Sequence, residues 1–290
     1  MQNNNQKKYF CVDIGGTKTA FAVFDESGKE YFYDCFPTNP QEGAKNLIDR
    51  IYESAKDVVS GISDGVIASP GPLDVKTGDI VFVATMGWKN VPIVKMFEEK
   101  FNISFKLLGD CDAGGLGVWK YCGFSEYKNL AYMSISTGIG GGIITDSKLY
   151  IGNGNAAFFG HIPVCGEGIK CGCGRTDCLE LYASGSGMEK RYFEKTGKKL
   201  SCKDISSLAR SGDEIASKIF DDAGDKLVFA LSSIVANLDP EIVVLGGSVC
   251  KDKDLFLPKI QKSLKDLKIG FAPDTGKQVL YGALAYAVIE

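Results

Sequence analysis

The chain has 290 residues, room for about two domains, each with a core of its own. Apolar residues make up 44% and charged residues 24%, a globular balance that excludes a disordered or fibrous chain. The net charge of −3 provides no broad basic face for nucleic acid, and no run reaches the ~18 apolar residues of a membrane helix.

The opening stretch, Met1 to Lys8, is polar and lacks the apolar core of an export signal, which predicts a cytoplasmic protein. Three strands are expected next: Tyr9 to Asp13, Thr19 to Phe24 after the turn Gly15-Gly16, and Glu30 to Phe36 after Asp25-Glu26-Ser27-Gly28. Apolar residues at Ala44, Leu47, Ile48, Ile51, Ala55, Val58 and Val59 keep a helical period. The strand Gly65 to Ala68 stops at Ser69-Pro70-Gly71-Pro72. Helices are expected over Val91 to Phe101 and Ala113 to Tyr121, with the strand Phe105 to Leu108 between them. Alternation of this kind indicates an α/β fold.

The pattern then restarts. Leu130 to Ser136 reads as a strand ending in the turn Thr137-Gly138-Ile139-Gly140-Gly141-Gly142, followed by strands Ile143 to Thr145 and Leu149 to Ile151. Strand, glycine turn, strand, polar turn, strand is the order already met from Phe10 to Tyr31. Copies beginning about 120 residues apart suit a duplicated domain, not a solenoid repeat. Helices follow over Gly187 to Lys195, Asp204 to Arg210 and Asp213 to Asn237. The strand Ile242 to Leu245 ends in Gly246-Gly247, and a last helix runs from Tyr281 to Ile289. The longest apolar stretch, Leu227 to Leu238, is broken by Ser232, Ser233 and Asn237. Without a low-complexity linker, the two halves are expected to pack around a shared cleft.

Three glycine-rich turns at strand ends suit a ligand with phosphates and a base. In Asp13-Ile14-Gly15-Gly16-Thr17-Lys18, the glycines let the backbone turn its N–H groups on an anion, Thr17 and Lys18 add a hydroxyl and a charge, and Asp13 could hold a hydrated Mg²⁺. A plain hairpin turn is the alternative. No Walker lysine motif and no strict G-x-G-x-x-G occurs, so a P-loop or Rossmann nucleotide site is unsupported. His161, the one histidine, precedes Cys171, Cys173 and Cys178 at spacings of ten, two and five residues. Three thiolates and an imidazole make a closed tetrahedral zinc set, structural because no position stays open. The remaining cysteines, of ten in all, read as reduced core or surface thiols. In Gly109-Asp110-Cys111-Asp112-Ala113, Asp112 is expected to cap the helix that begins at Ala113, leaving Asp110 at the strand tip as a candidate general base.

Taken together, these motifs resemble the ROK family of sugar kinases, within the actin-like ATPase and hexokinase superfamily. The resemblance runs through Asp13-Ile14-Gly15-Gly16-Thr17-Lys18, Ser69-Pro70-Gly71-Pro72, Gly87-Trp88-Lys89-Asn90-Val91-Pro92, Ser136-Thr137-Gly138-Ile139-Gly140-Gly141-Gly142 and Gly160-His161. It continues in Cys171-Gly172-Cys173-Gly174-Arg175, Cys178-Leu179-Glu180, Asp239-Pro240-Glu241 and Val244-Leu245-Gly246-Gly247. It implies a two-lobed, ribonuclease H-like α/β fold with ATP and sugar in the interlobe cleft. The lobes would be residues 1–120, completed by the helix 281–290, and residues 121–280, carrying a zinc-binding loop at 161–180. The first two glycine turns (Asp13 to Lys18, and Thr137, Gly138, Gly140, Gly141 and Gly142) would hold the phosphates, and Gly246-Gly247 would lie near the adenosine. Asp110 would be the base, His161 would touch sugar as well as zinc, and Glu180 would be a sugar ligand. Many members are dimers, so a homodimer is the expected state.

The sequence departs from that family at the sugar site. Gly109 stands where an Asn usually precedes the catalytic Asp. Thr85 is the nearest match to an Asn before Gly-Trp-Lys-Asn, and Phe158 replaces a Glu three residues before the histidine. Neighbours such as Asp112 or Ser134 are the alternative source of these contacts. The expected activity is ATP-dependent phosphorylation of a hexose or N-acetylhexosamine at the 6-hydroxyl. The rival is a catalytically weak sugar-sensing regulator, acting through protein partners because only about eight residues precede the first strand, too few for the DNA-binding domain of the family's repressors.

Overall fold

A computed structural model describes residues 6–274 and 276–289. Residues 1–5 of the expected polar lead, Met1 to Lys8, lie outside it, as does residue 290 of the expected helix 281–290. The chain divides into two compact units. One comprises Met1–Glu126, Leu149–Ala156 and Thr275–Glu290; the other comprises Tyr127–Lys148 and Ala157–Asp274. The expected lobes meet at 120/121, at the very end of a helix; the boundary here follows that helix by a few residues. Residues 149–156, expected in the second lobe, go with the first, where the Asn155 side chain accepts from Leu73 N–H at 3.0 Å and donates to its carbonyl at 3.0 Å.

The first unit opens with the hairpin strands β1 (Lys8–Ile14), β2 (Lys18–Asp25) and β3 (Glu30–Pro37). Helix α1 (Gly43–Ala55) leads to β4 (Asp64–Ser69). Three short strands follow, β5 (Leu73–Asp74), β6 (Asp79–Val83) and β7 (Trp88–Val91), then α2 (Ile93–Phe101), β8 (Ser104–Gly109) and α3 (Asp110–Tyr121). The main sheet has the order β3-β2-β1-β4-β8, with β1 antiparallel to β2 and parallel to β4. Strand β1 is apolar from Tyr9 to Val12 because both of its faces are covered there. Phe10, Val12 and Ile14 pack with Leu47, Ile48 and Ile51 of α1 and Phe97 and Phe101 of α2. Tyr9 and Cys11 face Ala113 of α3 and Leu280, Ala283 and Leu284 of the C-terminal helix, Gln278–Ile289. Those two helices touch backbone to backbone: a β-carbon on Gly282 would lie 1.6 Å from Ala113 O, and one on Gly117 2.0 Å from Gln278 O. Only glycine permits that approach.

The second unit repeats the plan with β9 (Leu130–Ile135), β10 (Ile139–Thr145) and the short β11 (Lys148–Leu149), where the chain crosses between units. Helices α4 (Glu180–Ala183), α5 (Gly185–Thr196), α6 (Cys202–Arg210) and α7 (Glu214–Leu238) precede β12 (Ile242–Gly246), α8 (Leu257–Ser263) and β13 (Ile269–Phe271). The sheet order β11-β10-β9-β12-β13 matches the first sheet strand for strand, and the duplication read in the sequence is present as topology. Ile219, Phe220, Leu227, Leu231 and Ile234 of α7 form the buried stripe against it. No described helix is long and apolar enough to cross a membrane.

Two local expectations are corrected. The period that carried α1 on to Val59 overshoots: the helix stops at Ala55, with Val58 40% exposed and only Val59 turned inward. The glycine run after β9 is mostly not turn. Gly140, Gly141 and Gly142 lie within β10, where a β-carbon on Gly141 would strike the Phe159 ring at 2.3 Å. Alternation cannot reveal a strand built of glycine.

Candidate active site

In the first unit, Asp13 lies one residue before the end of β1 and Asp110 opens α3 directly after β8; β1 and β8 both pair in parallel with β4 between them, so the two carboxyls come to the same end of the sheet. Asp110 Oδ1 accepts from Cys111 N–H at 2.8 Å, which fixes its orientation. Burial raises the Asp110 carboxyl above the usual range against the pull of that hydrogen bond. Burial, with the charge of Asp110, pushes Asp13 up to about 7, opposed by Lys18. The expected cap at Asp112 is corrected. The helix begins two residues before Cys111's successor, its N-cap is Gly109, and Asp112 lies inside the first turn, 5% exposed. Burial, then the charge of Asp110, pushes Asp112 to about 8.

This cluster has a thermodynamic signature. Asp112 is held protonated in the fold well above its ordinary pKa, so its contribution to stability is present at about pH 4 and is lost as pH rises toward about 8. The ligand-free protein is expected to lose stability across that span, on the order of a few kcal/mol. Denaturant midpoints measured against pH should fall more steeply for the parent than for Asp112→Asn; parallel curves would remove Asp112 as the source.

The β1–β2 turn carries Gly15, Gly16, Thr17 and Lys18. Gly15 N–H closes it onto Lys18 O at 3.0 Å, and Thr38 Oγ1 donates to Gly15 O at 2.6 Å. Thr17 and Lys18 are exposed. Thr85 Oγ1 is 3.3 Å from the β-carbon position of Gly16, so it stands beside this turn.

The second unit carries the matching turn, Ser136-Thr137-Gly138, and it is locked to the start of α5. Gly185 N–H donates to Ser136 O at 2.8 Å, and Ser186 Oγ donates to Thr137 O at 2.6 Å. Glu180 Oε2 accepts from Ile139 N–H at 2.8 Å. Beyond β12, Gly247 has φ 90°, and a β-carbon there would lie 2.3 Å from Ile135 O. That sharp exit opens a pocket of about 380 Å³ lined by Ser136, Thr137, Ser186, Lys203, Ser248 and Lys251, among others. Thr137 was legible in the sequence. Ser186, Lys203 and Lys251 were not, although Ser184-Gly185, where the Ser184 hydroxyl caps α5 by accepting from Gly187 N–H at 3.0 Å, is a helix-start signal. A 12-residue helix directing its N-terminus at this pocket favours an anion.

The ligand atoms of His161, Cys171, Cys173 and Cys178 lie within 4.8 Å of one another. Cys171 Sγ is 3.8 Å from His161 Nδ1, and Cys173 Sγ is 3.5 Å from Cys178 Sγ. Tetrahedral zinc with bonds of about 2.3 Å separates neighbouring sulfurs by about 3.8 Å, so the residues fit the ion. The Phe158 ring is 45% exposed and stands edge-on to His161 at 6.2 Å. Thr85, Gly109 and Asp110 belong to the first unit; Phe158, His161 and Glu180 belong to the second.

Residues 9–280 match the ROK family. A glucokinase of Halalkalibacterium halodurans is 31% identical over 279 residues, covering 88% of this chain and 84% of that protein. The crystal structure of a ROK hexokinase from Thermus thermophilus is similar with a TM-score of 0.85 at 26% identity, over 97% of both chains. That of a ROK glucokinase from Streptomyces griseus, in complex with glucose and AMPPNP, is similar with a TM-score of 0.79 at 28% identity, over 97% of this chain and 99% of that one.

Proposed function

The chain belongs to the ROK family and has its mixed α/β, two-lobed actin-like ATPase fold, and from that premise we propose an ATP-dependent sugar kinase acting on the 6-hydroxyl of a hexose or N-acetylhexosamine. The observation that carries this reading is Asp110, a half-buried carboxyl fixed by Cys111 N–H and raised by desolvation, a condition that suits a general base. Asp110 takes the hydroxyl proton as the oxygen attacks the γ-phosphorus in line, and the bond to the bridging oxygen of ADP breaks. Thr137 and the backbone around Gly138 orient the phosphates, with Lys18 as a further charge. The pocket past Gly247 takes the adenosine. Asp13 and Asp110, close enough that the charge of one raises the other, fit a divalent cation. Mg²⁺ there would supply positive charge against the phosphate oxygens. Zinc held by His161, Cys171, Cys173 and Cys178 would tie down the loop that carries His161 and leads into Glu180, beside the hydrogen bonds that Asp177 accepts there. A sugar-sensing protein freed from catalysis has no need of an oriented, desolvated base, which favours the enzyme. The reading takes the protein as a cytoplasmic homodimer that binds no nucleic acid; light scattering tests the dimer.

A coupled ADP-release screen over a panel of sugars tests the activity; no turnover on any hexose or hexosamine overturns it. Plain glucose is expected to be a poor substrate. Phe158 offers an aromatic edge where a carboxylate would accept a hydroxyl, and Thr85 is shorter than the residue it replaces. Each missing contact costs about 1 kcal/mol or more. An acetyl methyl or a deoxy position suits Phe158 better than a hydroxyl does. Glucose should therefore show kcat/KM below ~10⁴ M⁻¹s⁻¹, and Phe158→Glu should improve it. A higher value, unchanged by Phe158→Glu, would sink this substrate preference.

A further inference from the structure

Position 109 has no side chain, and the space one would take is filled from within the next helical turn. A β-carbon built on Gly109 would lie 2.6 Å from Asp112 Oδ2. The other oxygen, Asp112 Oδ1, is buried without a hydrogen-bond partner, in a residue only 5% exposed. Capping does not explain the arrangement. Gly109 is the N-cap of α3, and Cys111 N–H is already taken by Asp110. No ion pair among the described residues reaches Asp112. A buried polar oxygen left unpaired weakens the fold, and a native structure that keeps one calls for a reason. Here the carboxyl is two residues from the proposed base, and its other oxygen, Oδ2, stands where a side chain at position 109 would begin.

We propose that Asp112 is a specificity-determining residue: its carboxyl takes over the contact that Gly109 cannot make, and Oδ1 hydrogen-bonds a second hydroxyl of the acceptor sugar, next to the one that Asp110 deprotonates. This rests on the sugar-kinase reading and deepens it. A carboxyl accepts in either protonation state and also donates when protonated, while a hydroxyl does both, so the two groups are matched. Gly109 and Asp112 form a compensating pair, since a side chain at 109 would meet the Asp112 carboxyl.

The test is steady-state kinetics on the best sugar of the panel and each of its monodeoxy analogues, for the parent, Asp112→Ala and Asp112→Asn. With the full sugar, Asp112→Ala should raise KM about 10- to 100-fold and change kcat far less. For one deoxy analogue, and only one, the parent should already show the high KM and the substitution should add nothing. Asp112→Asn should recover part of the loss, because an amide also accepts and donates. Both variants should melt no lower than the parent, having lost an unpaired buried carboxyl. If Asp112→Ala fails to fold, Asp112→Asn, nearly the same shape, carries the comparison. An equal change on every analogue, or none on any, overturns the proposal. Absence of turnover by the parent on every sugar overturns the kinase reading itself, a distinguishable result.

Discussion

Asp110→Asn is expected to lower kcat by about 10²–10⁴-fold while sugar binding stays within a few-fold. The amide keeps the shape and can still accept from Cys111 N–H, whose 2.8 Å bond holds the side chain in place. What it loses is the capacity to take a proton. Burial makes the effect large, because a raised carboxyl pKa brings the base nearer the working pH and strengthens its pull on the hydroxyl. The fold should tolerate the change: replacing a partly desolvated carboxyl beside Asp13 and Asp112 removes repulsion from that cluster. Single-turnover kinetics beside equilibrium sugar binding separate the two quantities. Near-normal turnover would remove Asp110 as the base and make Asp112 the next candidate. Unchanged turnover for Asp112→Asn as well would require a base outside this cluster.

Cys173→Ser is expected to release a metal ion and lower both stability and sugar binding. Cys173 is exposed, and Arg175 N–H holds its thiol below the ordinary range; Cys178 is buried, and its protonated form is favoured up to about 12 in the metal-free protein. Gathering three thiols around an imidazole gains nothing unless a cation draws off their protons. The sequence suggests a loop with little else to order it. The structure corrects that: Asp177 accepts from Gly168 and Ile169 N–H groups, and the Tyr182 hydroxyl donates to Asp177. The loop should therefore loosen without unfolding the unit. A loss of about 3 kcal/mol would lower Tm by about 6–12 °C. The effect should reach the site through Glu180, two residues past Cys178, whose carboxylate holds Ile139 N–H at the phosphate turn. Elemental analysis of protein purified without chelator should find one zinc per chain in the parent and none in the variant. A parent well below one, with normal stability, would count against the site.

The sequence by itself determined which segments are strands and helices wherever one face is buried. The stripe from Ala44 to Ala55 carries its burial in its spacing, because the period of the chain is the period of the packing, and the unbroken apolar run Tyr9 to Val12 marks a strand covered on both faces. It also gave the candidate metal set, since three cysteines and a histidine at short spacing can converge without help from the rest of the fold, and the strand-end placement of Asp13 and Asp110. Tertiary structure decided the rest. The strand Gly140 to Gly142 was illegible because glycine carries no facial pattern; only the Phe159 ring pressed on Gly141 explains it. The three-stranded sheet β5-β6-β7 was missed because strands of two to five residues are shorter than any period can register. The pocket beyond Gly247 joins residues from about 136, 186, 203 and 251, which no local spacing relates. Asp112 shows the division most sharply. Its sequence position reads as a helix cap, and only packing, with its carboxyl folded into the space left by Gly109, turns it inward as a buried group with an unpartnered oxygen, two residues from Asp110.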